Sequence, residues 1–467
     1  MQRSSDRILT THVGSLIRPK ELLEFILPMQ RDEPIDHAAF ESALKRAVKD
    51  VVKHQADVGV DVVSDGEFGK VYSWSQYVLD RMTGFEKRYL QPGETLAFAR
   101  GGEDRRRFRE FYAELDGGER RGRQDRGFDV VCVGPVTYTG QAQLRQDIDN
   151  LKDALADANV TEGFLPVAAP ASVIPDRVNE YYKTEEDLAF AIADAMRVEY
   201  KAIIDAGLIV QIDDARAAVT YDRMVPPKTP AEFRKWLAMY MEALNYAIKG
   251  LPEDKIRYHV CWGSWPGPHT NDVAMKDIAD LILSVNAGAF VLEMANPRHE
   301  HEWRVWEDVK LPNDRILVPG VISHATNIVE HPELVCERIV RLANLVGREN
   351  LIAGTDCGFA QSPAIGRVHP TIMWAKLQAL ADGAGLASKV LWSPARSANP
   401  LKRAAAARAR KAAPRRAARK AAAKKAVRKA VAKASPRVNK TPRKAKVQST
   451  RKSTHVAKKS VRKATRR

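Results

Sequence analysis

Eight apolar, β-rich stretches recur between residues 8 and 359, and each runs into polar or glycine residues: ILTTHVGS at 8–15, VDVVSDGE at 60–67, GFLPVAAPASVI at 163–174, LIVQIDD at 208–214, IRYHVCWGS at 256–264, AFVLEMANP at 289–297, ILVPGVISHA at 316–325 and LIAGTDCGF at 351–359. Helical patterns such as Asp187–Ala206 and Pro332–Val346 separate most of them. Strands alternating with helices build parallel sheets, and eight such units close into a (β/α)8 barrel of the α/β class. A ninth stretch, FDVVCVGPVTYTG at 128–140, exceeds that count and is expected to be a hairpin-like insertion over the barrel mouth. Residues 101–127 are glycine-rich and dense in charge, the pattern of a surface excursion.

In such a barrel the residues at the strand ends converge on one face, where active sites sit. The later ends carry His259 and Cys261, then Glu293 34 positions after His259, His324 31 further on, and Cys357 33 beyond that. Residues i and i+2 of a strand share a face about 7 Å apart, so His259 and Cys261 can hold one ion. Two thiolates, one imidazole and one carboxylate make a Zn2+ ligand set of His259, Cys261, Glu293 and Cys357. A substrate thiol that replaced the weakest ligand, Glu293, would bind as thiolate, because coordination deprotonates it. The chemistry implied is alkyl transfer to sulfur, with a small-molecule thiol and an alkyl donor as partners.

Charge divides the chain. Of 75 basic residues, 27 lie in 401–467 with no acidic residue, which leaves 48 basic against 58 acidic in 1–400. The net charge of +17 therefore describes neither part. We read residues 1–398 as the barrel and 399–467 as a Lys/Arg/Ala-rich tail, too poor in apolar surface to fold alone and hence expected to be disordered. The four cysteines are irregularly spaced and suggest no disulfide framework, which fits a reducing cytoplasm. Cys132 and Cys336 read as packing residues. The N-terminus lacks the apolar core of a secretory signal, and no apolar run approaches a membrane span.

The motifs TTHVGS, VVSDGE, QIDD, HVC, LEMA, PGVISH and GTDCG, in that order across roughly residues 8–396, resemble the catalytic barrel of cobalamin-independent methionine synthase. By that resemblance His259, Cys261, Glu293 and Cys357 match the family's zinc ligands. It implies that Ser15, Glu67 and Asp213 hold the amino acid moiety of homocysteine, that His324 acts as an acid, and that a folate such as 5-methyltetrahydrofolate donates the methyl group. Full-length members carry a second, N-terminal barrel-like domain that helps hold polyglutamyl folate, whereas this chain opens directly in the catalytic barrel, which leaves the donor open. The PGVISH segment is one residue shorter than the family's form, and the loop CWGSWPGPHTND is longer and more aromatic.

Single-barrel relatives of that family include epoxyalkane:coenzyme M transferases, which open an epoxide with a zinc-bound thiolate. A sulfonate thiol of that kind would want an arginine fork, for which Arg298 is the candidate; a solvated ion pair is its plainer reading. His299 and His301 have no third ligand beside them and read as loop residues. Glu67 and Asp213 have helix capping as their plainer role. The tail at 401–467 resembles those of linker histones, and its charge suits non-specific nucleic acid binding, with nucleoid association as a consequence. Without aromatic residues it lacks single-strand stacking. A third alternative is a nucleoid-associated protein carrying an inactive barrel.

Overall fold

The computed structural model describes residues 1–91, 94, 101–117, 128–173, 178–312, 314–360, 362–363 and 366–393. Eight parallel strands form its centre: β1 (Leu9–Thr10), β2 (Val62–Val63), β5 (Glu162–Ala168), β7 (Ile209–Asp214), β8 (Ile256–Val260), β9 (Ala289–Leu292), β10 (Ile316–Ile322) and β11 (Ile352–Thr355). Their spatial order is β1-β11-β10-β9-β8-β7-β5-β2. A parallel bridge between Thr11 and Val62 joins the first strand of that series to the last and closes the barrel. Every one of the eight sequence stretches contributes a strand, and the fold is a (β/α)8 barrel.

Side-chain alternation along these strands divides the core. Ile256, Tyr258 and Val260 of β8 point outward into the large apolar layer shared with the helices. Leu9, Ala289, Val291, Ile316, Val318 and Ile352 fill one patch of the interior, and Val62, Phe164 and Ile209 fill another. Arg257 lies inside the barrel, where its guanidinium donates to Thr11 Oγ1 and the His12 carbonyl and covers the Phe164 ring. The next interior residues along this line are His259 of β8 and Cys261 just beyond it. The interior thus grades from apolar to polar toward the C-terminal ends.

The helices begin where the sequence supplies caps. Thr229 and Glu232 form a reciprocal capping box at Pro230–Ile248, and His331 with Pro332 opens Pro332–Val346. Asp214 caps Ala215–Met224 by accepting from Ala217 N–H. That leaves Asp213, one residue earlier, free to face the barrel mouth.

Two segments differ from expectation. Residues 128–140 contribute a single strand, β4 (Phe128–Cys132), whose antiparallel partner is the distant β3 (Phe85–Tyr89), with β6 (Val178–Asn179) parallel on its other side. The antiparallel partner therefore comes from well upstream, Tyr89 pairing with Phe128 and Phe85 with Cys132. Within 101–117 lie two helices, Glu103–Arg107 and Arg109–Gly117, and Asp104 is buried, so this part is docked rather than a free excursion. Residues 118–127 of that excursion and the whole 399–467 tail lie outside the described residues. No described helix is long and apolar enough to cross a membrane.

Candidate metal centre

Position relative to the strand ends brings the site together. Asp213 is in the last turn of β7 and pairs in register with His259 of β8. Cys261 follows β8 directly, Glu293 follows β9 directly, and His324 and Cys357 lie two residues past β10 and β11. Donor atoms of His259, Cys261 and Cys357 lie within 4.8 Å of one another, and all three residues are buried. The two sulfurs are 3.5 Å apart, and Ser264 Oγ is 3.1 Å from Cys357 Sγ.

The electrostatics of this cluster suit a cation. The hydrogen bond to Cys357, burial and the negative charges of Cys357 and Glu293 all push the Cys261 thiol well above its ordinary range. A divalent ion reverses that balance and ionises the thiols. His259 is held neutral, pushed down to about 3 by burial and by the charge of Arg257, and neutral imidazole is the ligating form. Its Nδ1 is a buried polar atom with no hydrogen-bond partner among the described residues. A neutral imidazole grouped with two thiols, one of its nitrogens without a hydrogen bond, fits a Zn2+ site.

Glu293 lies at the same mouth but outside the three-donor cluster. Its Oε1 accepts from the Trp262 backbone N–H at 2.8 Å, and its Oε2 accepts from Asn296 at 2.8 Å and from Arg298 at 3.3 Å. Arg298 also donates to Asp272 at 3.0 Å and to the Gly263 carbonyl. The arginine fork suggested for a sulfonate is thus engaged by two carboxylates of the protein.

Ser15 and Asp213 border the cluster, Ser15 beside Gly358 and Asp213 in register with His259, and the charge of Glu67 acts on Asp213. The Ser15 hydroxyl sits where a Cβ on Gly358 would come within 2.0 Å of it, so only glycine after Cys357 admits this approach. Glu67 pairs with Lys70 at 3.4 Å, and Lys70 donates to the Pro166 carbonyl. Burial and the nearby Glu67 charge push the Asp213 carboxyl well up. The Lys70 ammonium, which pairs with Glu67, opposes that rise.

His324 is buried, and neither ring nitrogen has a partner among the described residues. Burial, together with the positive charges of Arg367, Arg298 and Lys376, lowers it to about 3. It is therefore a neutral imidazole, two residues past the end of β10. Cys132 is buried beside the Gly134 carbonyl and Cys336 packs against the helical layer, so neither joins the site.

Some site residues escape sequence reading. His299 is buried and clamped between Glu302 at 2.8 Å and Asp272 at 3.3 Å. Burial opposes its charge, but the two carboxylates prevail and raise it to about 9. Asp272 in turn meets His269 at 3.2 Å. Lys70, Asn296 and Asp272 had a faint signal only, each three residues from an acidic or histidine partner on one local turn. His301 takes no part in this cluster.

Fold and cluster together define a parallel (β/α)8 barrel with a His/Cys/Cys centre of metal-binding type at its C-terminal mouth. The family model described as the cobalamin-independent synthase catalytic domain matches residues 167–370. A methionine synthase of Sulfolobus acidocaldarius is 25% identical over 358 residues, covering 76% of this chain and 86% of that protein. An uncharacterized Bacillus subtilis protein is 23% identical over 389 residues, covering 79% of this chain and 92% of its own. The fold matches the structure of a B12-independent methionine synthase from a Shewanella species, with a TM-score of 0.61 at 19% identity, covering 82% of this chain and 99% of the other. The chain is thus similar to the cobalamin-independent methionine synthases, with the family match lying in residues 167–370.

Proposed function

We propose that the protein is a zinc-dependent methyltransferase that moves a methyl group from 5-methyltetrahydrofolate or a related donor onto the sulfur of homocysteine. The observation that carries this reading is the convergence of His259, Cys261 and Cys357 within 4.8 Å at the barrel mouth. With Glu293 at hand, these residues would hold Zn2+, which lowers the pKa of a thiol so that it is a nucleophile at neutral pH. The chain's own residues do the rest. Glu67 and Asp213 receive the substrate ammonium, and Ser15 donates to its carboxylate. The methyl carbon then bonds to the substrate sulfur as its bond to the donor breaks, with the electron pair passing to the donor. Neutral His324 offers an N–H to the departing group and becomes a full proton donor when an anion arrives beside it.

Opening of an epoxide by coenzyme M gains no support, because Arg298 faces Asp272 and Glu293. The intact donor cluster speaks against an inactive carrier barrel. For the 401–467 segment we retain non-specific binding to a nucleic acid backbone, on its charge alone.

Bound metal, followed by assays with homocysteine and with coenzyme M, tests the reading. The wild-type chain is expected to hold zinc and to methylate homocysteine. Cys357→Ser should lower metal affinity and activity by ~100-fold or more, since even outer groups of such sites are worth about 10–100-fold. A metal-free wild-type protein, or full activity in Cys357→Ser, contradicts it.

A further inference from the structure

Both oxygens of Glu293 already have protein donors, although its side chain is fully buried. Trp262 N–H serves one oxygen, while the Asn296 amide and the Arg298 guanidinium serve the other. The donors are themselves fixed. Asn296 also bonds Asp356 Oδ2 at 3.0 Å, and its own oxygen accepts from Arg298 N–H. Asp272 anchors the other arm of Arg298 and is anchored by His269 and His299. A carboxylate acceptor ringed by one amide, one backbone N–H and one cation is a complete anion site.

We infer that Trp262 N–H, Asn296 and Arg298 form a berth that receives the Glu293 carboxylate when a substrate thiol takes its place among the ligands. The inference rests on the metal-dependent reading above. A ligand that leaves a cation inside a protein becomes a buried, uncompensated charge, and that is costly unless another partner waits. Arg298 supplies the charge, and Asn296 and Trp262 supply the geometry. Glu293 can then exchange one set of partners for the other without meeting water. Arg298, Asn296 and Asp272 are on this account positioning residues: they touch Glu293 or one another, and set how readily the fourth position opens.

In the fully liganded state Glu293 is balanced by the ion and has little need of Arg298; in the exchanged state Arg298 is its only nearby cation among the described residues that contact it. Removing the guanidinium should therefore leave metal binding intact and weaken thiol binding.

The experiment loads the full-length chain with Co2+ and titrates it with homocysteine, following the sulfur-to-cobalt absorption band. Wild-type protein is expected to gain intensity as the thiol adds. Arg298→Met should take up cobalt as wild type does, but need about tenfold or more homocysteine for the same change, the scale of one charge-assisted hydrogen bond. Arg298→Lys, which keeps the charge and is the gentler change for folding, should fall between the two. Equal midpoints in wild type and both variants overturn the berth, as does loss of cobalt from a folded Arg298→Met, which would make Arg298 a support for the resting ligand set. A wild-type centre whose spectrum ignores homocysteine overturns the methyl transfer reading itself, and the berth with it.

Discussion

At the scale of single residues, the mouth concentrates ionisable groups in a place that disfavours their charge. Asp65, two residues before Glu67, is pushed up to about 6 by burial and by the negative charge of Asp147. The native state therefore holds a proton on Asp65 that the unfolded chain releases near its ordinary value of 3.8. Stability contributed by this group is highest below pH 4 and falls as pH rises through about 6, because the folded form binds the proton more tightly. Asp65→Asn removes the titration and keeps an oxygen to accept Glu67 N–H, which now bonds Asp65 Oδ1. Denaturant melts should show the variant more stable than wild type by ~2 kcal/mol at pH 8, with no gain at pH 4. A gain independent of pH would contradict that origin.

Single residues also show what a sequence hides. His259, Cys261 and Cys357 could be read as a group because ligand types are few and strand spacing fixes which face they share. Asn296 and Asp272 could not, since an asparagine and an aspartate in loops have many ordinary roles. Asp356 makes the same point: it accepts from Met294 N–H and Ala295 N–H, and a Cβ on Gly320 would come within 2.1 Å of its carboxylate. The glycine in PGV and the aspartate in TDC are partners across two strands, a relation invisible along the chain.

At the scale of elements, the barrel strands were legible because each is an apolar run with polar punctuation, and the helix Pro332–Val346 because proline and a cap mark its start. The β3–β4 pairing was not, for β3 reads FEKRY and is largely exposed, with no alternation deep enough to mark it. The docking of 101–117 was hidden for another reason. A charge-dense segment suggests solvent, yet Asp104 is buried and accepts from the backbone and hydroxyl of Thr270. Tyr112 likewise receives Trp265 Nε1–H at 3.1 Å. Both contacts fall on the loop that follows Cys261, so this excursion braces the ligand loop. Asp104→Ala should cost about 1–3 kcal/mol, the price of leaving the Thr270 donors unmatched. Hydrogen exchange should quicken in residues 262–274 while the strands stay protected; an unchanged loop would show that the brace is incidental.

At the scale of the whole molecule, a barrel and a basic segment share one chain with opposite charge balance. Deleting 394–467 should leave metal content and turnover of the barrel unchanged. It should abolish the salt-dependent retention of duplex DNA expected of the full chain in filter binding. Retention and salt slope unaltered by the deletion would remove the nucleic acid proposal and leave the enzyme proposal standing.

The barrel was legible at this scale because topology follows from repetition. The proposed substrate residues Ser15, Glu67 and Asp213 were legible only in part, since they come from three distant strand ends. Their roles depend on the centre they face. Zinc K-edge X-ray absorption on the full-length chain tests that centre most directly. Two sulfur neighbours are expected, with nitrogen or oxygen completing the shell, and a third sulfur with one fewer oxygen after homocysteine is added. A shell of nitrogen and oxygen alone, or one indifferent to the thiol, would contradict it.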